Sequence, residues 1–321
     1  MMRRLAAAAA CSIWLAWAGA ATAACAPPDI AYVQETVAGR PTLLRLPPSP
    51  RAVVYLFHGT GGSEAFARRP ETRCALGPLL ERGYAVVATR SESRDPARWN
   101  LEAVGAGTNA DVDHMLALHK ALVDRGALGA TTPVYAMGMS NGGGFATVFA
   151  TSARRVGLPV AGVANYMGPV PALAVAYAGA DFPPIFAVTA EADGLVDATR
   201  VGAAIRRVDE VGTRTEAHLA RPRALTVDDL TGLDGRDAEA AGRTLDALRA
   251  AGLIDAAGRR AALPARPVLG RTEMADLGRM LPAGASGREI LNAMLIAFAG
   301  HQMRSDYADA QARFFEAVRP R

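Results

Sequence analysis

Short apolar runs alternate with longer helical stretches over most of this chain. The runs contain almost no polar residues, which is typical of strands that are covered on both faces. The helical stretches at residues 65–82 and 110–125 are each followed by a glycine, the usual helix stop. This alternation predicts an α/β fold, a mostly parallel sheet with helices on both faces. We predict strands at residues 51–57, 84–89, 134–139, 160–167, 184–190 and 215–220, after an N-terminal hairpin at 30–46 that turns at Gly39.

The alternation breaks after residue 220. Prolines, glycines and short amphipathic helices follow, and apolar spacing resumes in "REILNAMLIAFAGH" at residues 288–301. We therefore predict two units after an N-terminal segment. An α/β core is formed by residues 25–220 and 296–321, and a helical cap at 221–295 is inserted into it. The chain has 321 residues and is 50% hydrophobic, enough for one large core with such an addition.

The N-terminal residues 1–24 have the composition of an export signal. Arg3 and Arg4 precede an apolar stretch at residues 5–17, and "ATA" at 21–23 supplies small residues for cleavage. We predict a periplasmic or secreted protein with no integral membrane segment after cleavage. The alternatives are an uncleaved membrane anchor and a lipid anchor at Cys25.

Two cysteines, Cys25 and Cys74, remain once this signal is removed. In an oxidising compartment they are expected to form one disulfide, and two free thiols are the alternative. The formal charge of the chain is +4, and its basic residues do not cluster in one block. We therefore expect no nucleic-acid partner. The chain also lacks a phosphate-binding loop with a lysine, an H-E-x-x-H motif and a cysteine cluster. We therefore expect neither a cofactor nor a metal.

A lone serine lies where a predicted strand becomes a helix, in "VYAMGMSNGGGFATVFA". Ser140 is flanked by Gly138 and Gly142 in a G-x-S-x-G motif. A sharp strand-to-helix turn lifts its central residue above the sheet edge, and small neighbours avoid a clash there. The serine hydroxyl then lies at a helix N-terminus, which favours developing negative charge. The pattern predicts that Ser140 is a nucleophile.

A serine nucleophile requires a base, and the chain has five histidines. His114 and His119 are predicted on the solvated face of a helix, and His218 within a strand. His58 opens "HGTGG" directly after a strand. His301 follows a glycine in a loop before the last helix, where a base can reach over a sheet edge. We predict that His301 is the base.

The carboxylate that orients the base is expected in the loop after a later strand. That loop, "AEADGLVDAT", offers Glu191, Asp193 and Asp197. Asp193 follows the strand end by three residues and is preferred. Asp197 directly precedes a helix and also fits a helix-capping role. The order serine, acid, histidine is the one that this kind of fold uses.

An acyl-transfer intermediate carries an oxyanion that needs preorganised donors. The amide of Asn141, directly after the nucleophile, is one candidate. The amide of Thr60 or Gly61 in "HGTGG" is the other, and His58 lies in the same loop. Trp99 is a candidate for the wall of the substrate pocket, with cover of the core edge as the alternative.

The motifs "HGTGG", "GMSNGG", "AEADGLV" and "AGHQM", in this order, resemble the α/β-hydrolase superfamily. The similarity covers residues 50–220 and 296–321 and is greatest to exported esterases related to polyhydroxybutyrate depolymerases and feruloyl esterases. The resemblance implies a Ser140, His301 and Asp193 triad that acts on a small or polymeric ester. The long segment between Asp193 and His301 departs from the superfamily pattern.

Other functions remain open at this point. A serine peptidase or amidase would use the same residues, and a hydrolase-like scaffold without activity would serve only for binding. The segment "ALTVDDLTGL" with the helix after it also resembles a winged-helix module, which would bind nucleic acid. A lid over the pocket is the preferred interpretation of that segment.

Overall fold

The structure is a computed structural model that describes residues 25–179, 181–261 and 286–320. The predicted export signal at residues 1–24 lies outside the described residues, as does part of the predicted cap, residues 262–285.

An eight-stranded sheet forms the centre of the described part of the chain, in the order β1-β2-β4-β3-β7-β8-β9-β10. Only the pairs β1–β2 and β2–β4 are antiparallel. The sheet therefore confirms the predicted fold class, and its order is that of an α/β-hydrolase. The strands are β1 Val33–Val37, β2 Arg40–Arg45, β3 Ala52–Phe57, β4 Tyr84–Thr89, β7 Val134–Met139, β8 Val160–Tyr166, β9 Ile185–Ala190 and β10 Thr215–Ala220, and β5 Ser93–Arg94 pairs with β6 Ala97–Arg98 in a separate two-stranded sheet.

Helices cover both faces of this sheet and enclose two apolar clusters, one on each side. Every residue of β3, β4, β7 and β8 is buried, which explains why these strands show no alternation of polar and apolar residues. The helices described are α1 Pro70–Glu81, α2 Ala110–Asp124, α3 Asn141–Arg155, α4 Ala172–Val175, α5 Ala198–Glu210, α6 Val227–Leu230, α7 Ala238–Ala250, α8 Gly287–Ala297 and α9 Ala308–Val318.

Two local predictions differ from the structure. The helix expected from residue 65 begins at Pro70 and follows a 3₁₀ turn, Glu64–Arg68. Proline at the first helical position lacks only an N–H that would be unpaired there, so it favours this later start. His114 and His119 are buried and do not face solvent. His119 Nδ1 lies 2.8 Å from the hydroxyl of Tyr55, inside the core.

The residues after β10 form a small core of their own. Apolar side chains from α6, α7, α8 and the residues next to these helices pack together: Leu225, Leu230, Ala241, Leu245, Leu248, Ile254, Ile290, Ala293, Met294, Ala297 and Phe298. The two ends of this region meet where Arg223 N donates to Ala297 O at 2.7 Å. In chain order, this small core lies between β10 and the last helix, α9.

The N-terminal residues are fastened to the core by a disulfide between Cys25 and Cys74 on α1. The predicted pairing is therefore confirmed. Within the described residues, every helix is too short or too polar to cross a bilayer.

Candidate active site

Ser140 lies at the turn between β7 and α3 in a strained conformation, with φ 58° and ψ −127°. Few non-glycine residues adopt such a positive φ, and those that do are concentrated at functional sites. The turn is held by a hydrogen bond of 2.8 Å from Ser140 N to Tyr166 O, at the end of the neighbouring strand. The chain therefore holds this serine at the carboxyl edge of the sheet, where α3 begins.

The glycines around Ser140 are required by close backbone packing. A Cβ on Gly138 would lie 2.8 Å from Gly143 N and closer still to the Gly142 carbonyl. A Cβ on Gly142 would lie 2.6 Å from the carbonyl carbon of Phe57. The two glycines let the start of α3 pack directly on β7 and β3, which is the close approach that the sequence motif predicts.

Asp193 and His301 are in direct contact, although 108 residues separate them. His301 Nδ1 lies 2.7 Å from Asp193 Oδ2. The other carboxylate oxygen accepts from Leu195 N at 2.8 Å and Val196 N at 3.0 Å. An ionised carboxylate only accepts, so Nδ1 carries the proton and Nε2 is left free as a base. The carboxylate is almost fully buried, which fixes the orientation of the ring.

The alternative acids and bases have other roles in the structure. Asp197 caps α5, where Oδ1 accepts from Thr199 N at 2.8 Å. The side chain of Glu191 is exposed. His218 Nε2 lies 2.9 Å from Glu216 Oε1 on the same strand. Among the described residues, none of these three side chains forms a hydrogen bond or ion pair with Asp193 or His301.

Ser140, Asp193 and His301 belong to one edge of the sheet. Ser140 follows β7, Asp193 follows β9, and the two strands are two positions apart, about 10 Å at the usual strand spacing. The loop that carries His301 is tied to the acid loop, since Ala192 N donates to Ala299 O at 3.0 Å. Among the described residues no hydrogen bond joins the serine hydroxyl to the imidazole. Such bonds are often long before substrate binds.

The loop after β3 approaches Ser140 closely, and a Cβ on Gly59 would lie 3.3 Å from Ser140 Cβ. Of the two predicted donors in this loop, Gly61 is already engaged, because its N–H donates to Ala97 O at 2.7 Å. Thr60 N has no hydrogen-bond partner among the described residues, and neither does Asn141 N at the start of α3. The two amides at Thr60 and Asn141 are therefore the pair left available for an oxyanion.

His58 braces this loop from inside and does not contact solvent. Its Nδ1 lies 2.8 Å from Gly59 O, and its Nε2 accepts from Ser91 N at 3.2 Å. Nε2 is thus unprotonated and Nδ1 carries the proton. Burial lowers the pKa of the imidazole to about 4, so the ring stays neutral near pH 7. The buried side chain therefore joins the loop after β3 to the segment that begins at Ser91.

Trp99 is also a core residue and does not line a pocket. The indole is fully buried and stacks on Phe145, with ring centroids 4.6 Å apart. Its Nε1 donates to His58 O at 3.0 Å. The expectation that Trp99 lines the pocket is therefore not met, and the alternative of core cover describes its position.

Two residues that support the site give no signal in the sequence. Ser91 holds His58 through its backbone N–H. The buried Asp111, on α2, accepts from Glu92 N at 2.6 Å and from Asn100 N at 2.9 Å. It thereby pins both ends of the loop that carries Trp99. Their roles arise from contacts between distant segments, which no local motif records.

The described residues contain no group of three or more histidine, cysteine, aspartate or glutamate side chains suited to hold a metal ion. The arrangement at the sheet edge instead has the parts of a nucleophilic site: a hydroxyl, a buried carboxylate–imidazole pair and two free amides.

No protein-family model matches the chain, and no curated protein matches it. Solved structures similar to it include TT1662 from Thermus thermophilus, with 18% identity and a TM-score of 0.44 over 60% of this chain and 89% of that one. An esterase of Pyrococcus furiosus has 16% identity and a TM-score of 0.43 over 60% and 82%. An acetyl xylan esterase from Aspergillus awamori has 12% identity and a TM-score of 0.44 over 56% and 80%. These identities and TM-scores are too low to support an argument about this chain. The fold assignment therefore rests on the strand order of the central sheet.

Proposed function

We propose that this protein is an exported serine hydrolase that cleaves carboxylic esters through an acyl-enzyme. Ser140 is the nucleophile, His301 the base and Asp193 the orienting acid. The observation that carries the proposal is the buried Asp193–His301 hydrogen bond of 2.7 Å at the sheet edge where Ser140 occupies its strained turn.

Acylation begins when Ser140 Oγ attacks the ester carbonyl carbon and His301 Nε2 takes the hydroxyl proton. Asp193 stabilises the imidazolium that forms, because its carboxylate already accepts from Nδ1. The carbonyl oxygen becomes an oxyanion, and the amides of Thr60 and Asn141 donate to it. Loss of one such donor typically raises the barrier by about 3 kcal/mol. The intermediate then collapses, and His301 returns the proton to the departing alcohol.

Deacylation repeats the same steps with water as the nucleophile. His301 Nε2 removes a proton from water, which attacks the acyl carbon, and the same two amides stabilise the second oxyanion. Collapse releases the carboxylic acid and returns the proton to Ser140 Oγ. The reaction therefore needs no group beyond those described at the sheet edge.

Export is part of the proposal and is supported by the disulfide between Cys25 and Cys74. Disulfides persist in oxidising compartments such as the periplasm and the extracellular space. The predicted signal at residues 1–24 accords with that environment. Expression in Escherichia coli followed by N-terminal sequencing of the periplasmic protein tests export, and an uncleaved N-terminus contradicts it.

The activity is tested with p-nitrophenyl esters of increasing acyl length. We expect the wild-type protein to hydrolyse at least the short-chain esters and Ser140→Ala to lose all enzyme-dependent turnover. Preference for short acyl groups indicates a small-ester role, and activity confined to long chains indicates that the cap gates lipid access. Equal rates for the wild type and Ser140→Ala contradict the proposal.

A further inference from the structure

The segment that carries His301 starts from the end of α8. Gly300 N donates to Leu295 O at 2.7 Å, and Ala299 N donates to Ile296 O at 3.2 Å. This pair of hydrogen bonds is a Schellman motif, which ends a helix and fixes the direction of the chain that follows. His301 is the next residue, so the position of its backbone depends on the last turn of α8.

The turn at the end of α8 has an unusual residue in its left-handed position. That position is most often glycine, but here it is Ala299, with φ 52°. A side chain in this conformation costs free energy and persists only where surrounding contacts hold it. One such contact is the hydrogen bond of 3.0 Å from Ala192 N, the residue before Asp193, to Ala299 O. The turn therefore depends on contacts from outside α8.

Arg304 supplies a second contact to this turn. Its Nη1 donates to Ile296 O at 2.6 Å, and the same carbonyl accepts from Ala299 N. Carbonyl groups in the last turn of a helix lack intrahelical donors, and the helix dipole favours a cation there. The guanidinium of Arg304 therefore binds the end of α8 directly before His301.

The guanidinium is itself held in one orientation. Its Nε donates to Asp306 Oδ1 at 3.0 Å, and its Nη2 donates to Asp306 Oδ2. The Arg304 side chain is only 3% exposed. A buried ion pair is costly to desolvate and is weak evidence for a gain in stability. Its planar, fixed geometry is what the guanidinium contributes here, because it joins Asp306 to the end of α8.

The residues on both sides of Arg304 are bound to neighbouring helices. Gln302 Nε2 donates to Asn292 Oδ1 on α8 at 2.6 Å. Ser305 N donates to Glu71 Oε1 on α1 at 2.5 Å. These contacts fix the segment around Arg304 against both α8 and the core, so the turn that the guanidinium binds is held in place as well.

We propose that Arg304 is a positioning residue for His301. Its buried guanidinium fixes the last turn of α8 and thereby holds the His301 imidazole 2.7 Å from the carboxylate of Asp193. The role of this pair in ester hydrolysis rests on the function proposed above. Through Arg304, the Asp193–His301 pair depends on α8, a helix of the region that follows β10.

Steady-state kinetics with p-nitrophenyl butyrate separate positioning from substrate binding. Arg304→Met keeps a long side chain but removes every donor. We expect kcat to fall about 10- to 100-fold with KM unchanged, because a small displacement of the base slows proton transfer. Arg304→Lys keeps the charge but lacks the planar fork, so it is expected to recover only part of the lost kcat. Arg288→Met removes an equal charge from an exposed position on α8 and is the matched control, with wild-type kcat expected.

The imidazole is observed directly by proton NMR of protein with isotopically labelled histidine. In the wild type we expect a downfield resonance from the His301 Nδ1 proton, and its loss in Asp193→Asn identifies it. In Arg304→Met this resonance is expected to broaden or disappear through exchange with water, while urea denaturation shows that the protein is folded. If Arg304→Met does not fold, the same two measurements on Arg304→Lys decide the question.

An unchanged resonance in a folded Arg304 variant overturns the inference whatever its kcat, because a merely structural role would lower stability alone. Wild-type kcat, or an effect confined to KM, overturns it as well. The proposed function fails separately, when the wild-type protein hydrolyses no ester. In that case the resonance still reports whether Arg304 holds His301 against Asp193.

Discussion

The side chain of Asn141 and the backbone of Trp99 form a reciprocal pair of hydrogen bonds. Trp99 N donates to Asn141 Oδ1 at 2.6 Å, and Asn141 Nδ2 donates to Trp99 O at 3.1 Å. The indole of Trp99 in turn donates to His58 O. Asn141, directly after Ser140, is thus bound to the loop before α2 and, through Trp99, to the loop after β3.

Asn141→Asp breaks half of this pair without a change in side-chain size. A carboxylate cannot donate to Trp99 O and would repel it, so the amide of residue 141 loses its fixed position. We expect kcat for a short p-nitrophenyl ester to fall about tenfold, which corresponds to the loss of one typical hydrogen bond. Steady-state kinetics measure the effect, and a kcat equal to that of the wild type contradicts the positioning role.

Asp193→Asn is expected to reduce kcat by about 10³- to 10⁴-fold. An amide at this position no longer holds His301 in the tautomer that leaves Nε2 free, and it does not stabilise the imidazolium. The measurement is the initial rate of ester hydrolysis at pH 8 with the protein at high concentration.

Asp197→Asn is the matched control for that substitution. Asp197 lies four residues further on and caps α5, a role that asparagine performs equally well. We expect wild-type activity. A large loss of hydrolysis in Asp197→Asn together with wild-type hydrolysis in Asp193→Asn would contradict this assignment and identify Asp197 as the orienting acid.

The sequence predicts the central sheet well because the strands are buried on both faces. The predicted bounds of β4, β7 and β10 agree with the structure, and β3, β8 and β9 differ by one residue. The strand-to-helix turn at Ser140 can also be predicted from nearby sequence, since the two glycines that it requires lie two residues away on either side. The sequence also distinguishes Asp193 from Asp197, because Asp193 follows a predicted strand whereas Asp197 directly precedes a predicted helix.

What the sequence does not reveal depends on contacts between distant segments. Gly61 is excluded as an oxyanion donor only because its N–H donates to Ala97 O. Trp99 is buried because the loop around it is pinned by Asp111. The burial of His119, in contrast, is indicated by the sequence. This residue lies four positions after Met115 and one after Leu118, on the apolar face of α2.

Gly138→Ala tests the close packing under the nucleophile. The added methyl group would collide with the backbone of α3, and the strand and the helix cannot separate without loss of core contacts. We expect a loss of at least about 3 kcal/mol in the free energy of unfolding, measured by urea denaturation.

Gly242→Ala is the control for this loss. Gly242 lies within α7, and a Cβ there would meet no atom within 4 Å. Alanine is the better helix former, so this variant is expected to gain up to about 1 kcal/mol. A Gly138→Ala protein as stable as the wild type would contradict the described geometry of the turn.

Folding stability is expected to decrease as the pH falls from 6.5 to 4. Burial lowers the pKa of His58 and of His114 from 6.5 to about 4, and it lowers that of His119. In this window the unfolded chain binds protons that the folded protein excludes, so stability is full above pH 6.5 and is lost on acidification. The pKa shifts of His58 and His114 each correspond to a loss of about 3 kcal/mol at most in the free energy of unfolding.

Urea denaturation at pH 7 and pH 4.5 measures this dependence, and His114→Leu separates one histidine from the others. His114 Nε2 is buried without a partner, so an apolar side chain of similar size is expected to be tolerated there. The variant should lose less stability on acidification than the wild type does. An equal loss in both proteins would contradict the account.

The most direct test of the central claim is the site of covalent modification by a fluorophosphonate. Such a probe reacts with a serine only when a neighbouring base activates the hydroxyl. After digestion and mass spectrometry, we expect one phosphonyl group on Ser140 in the wild type, slow labelling in Asp193→Asn and no labelling in Ser140→Ala. An unmodified Ser140, or labelling that persists in Ser140→Ala, would contradict the account.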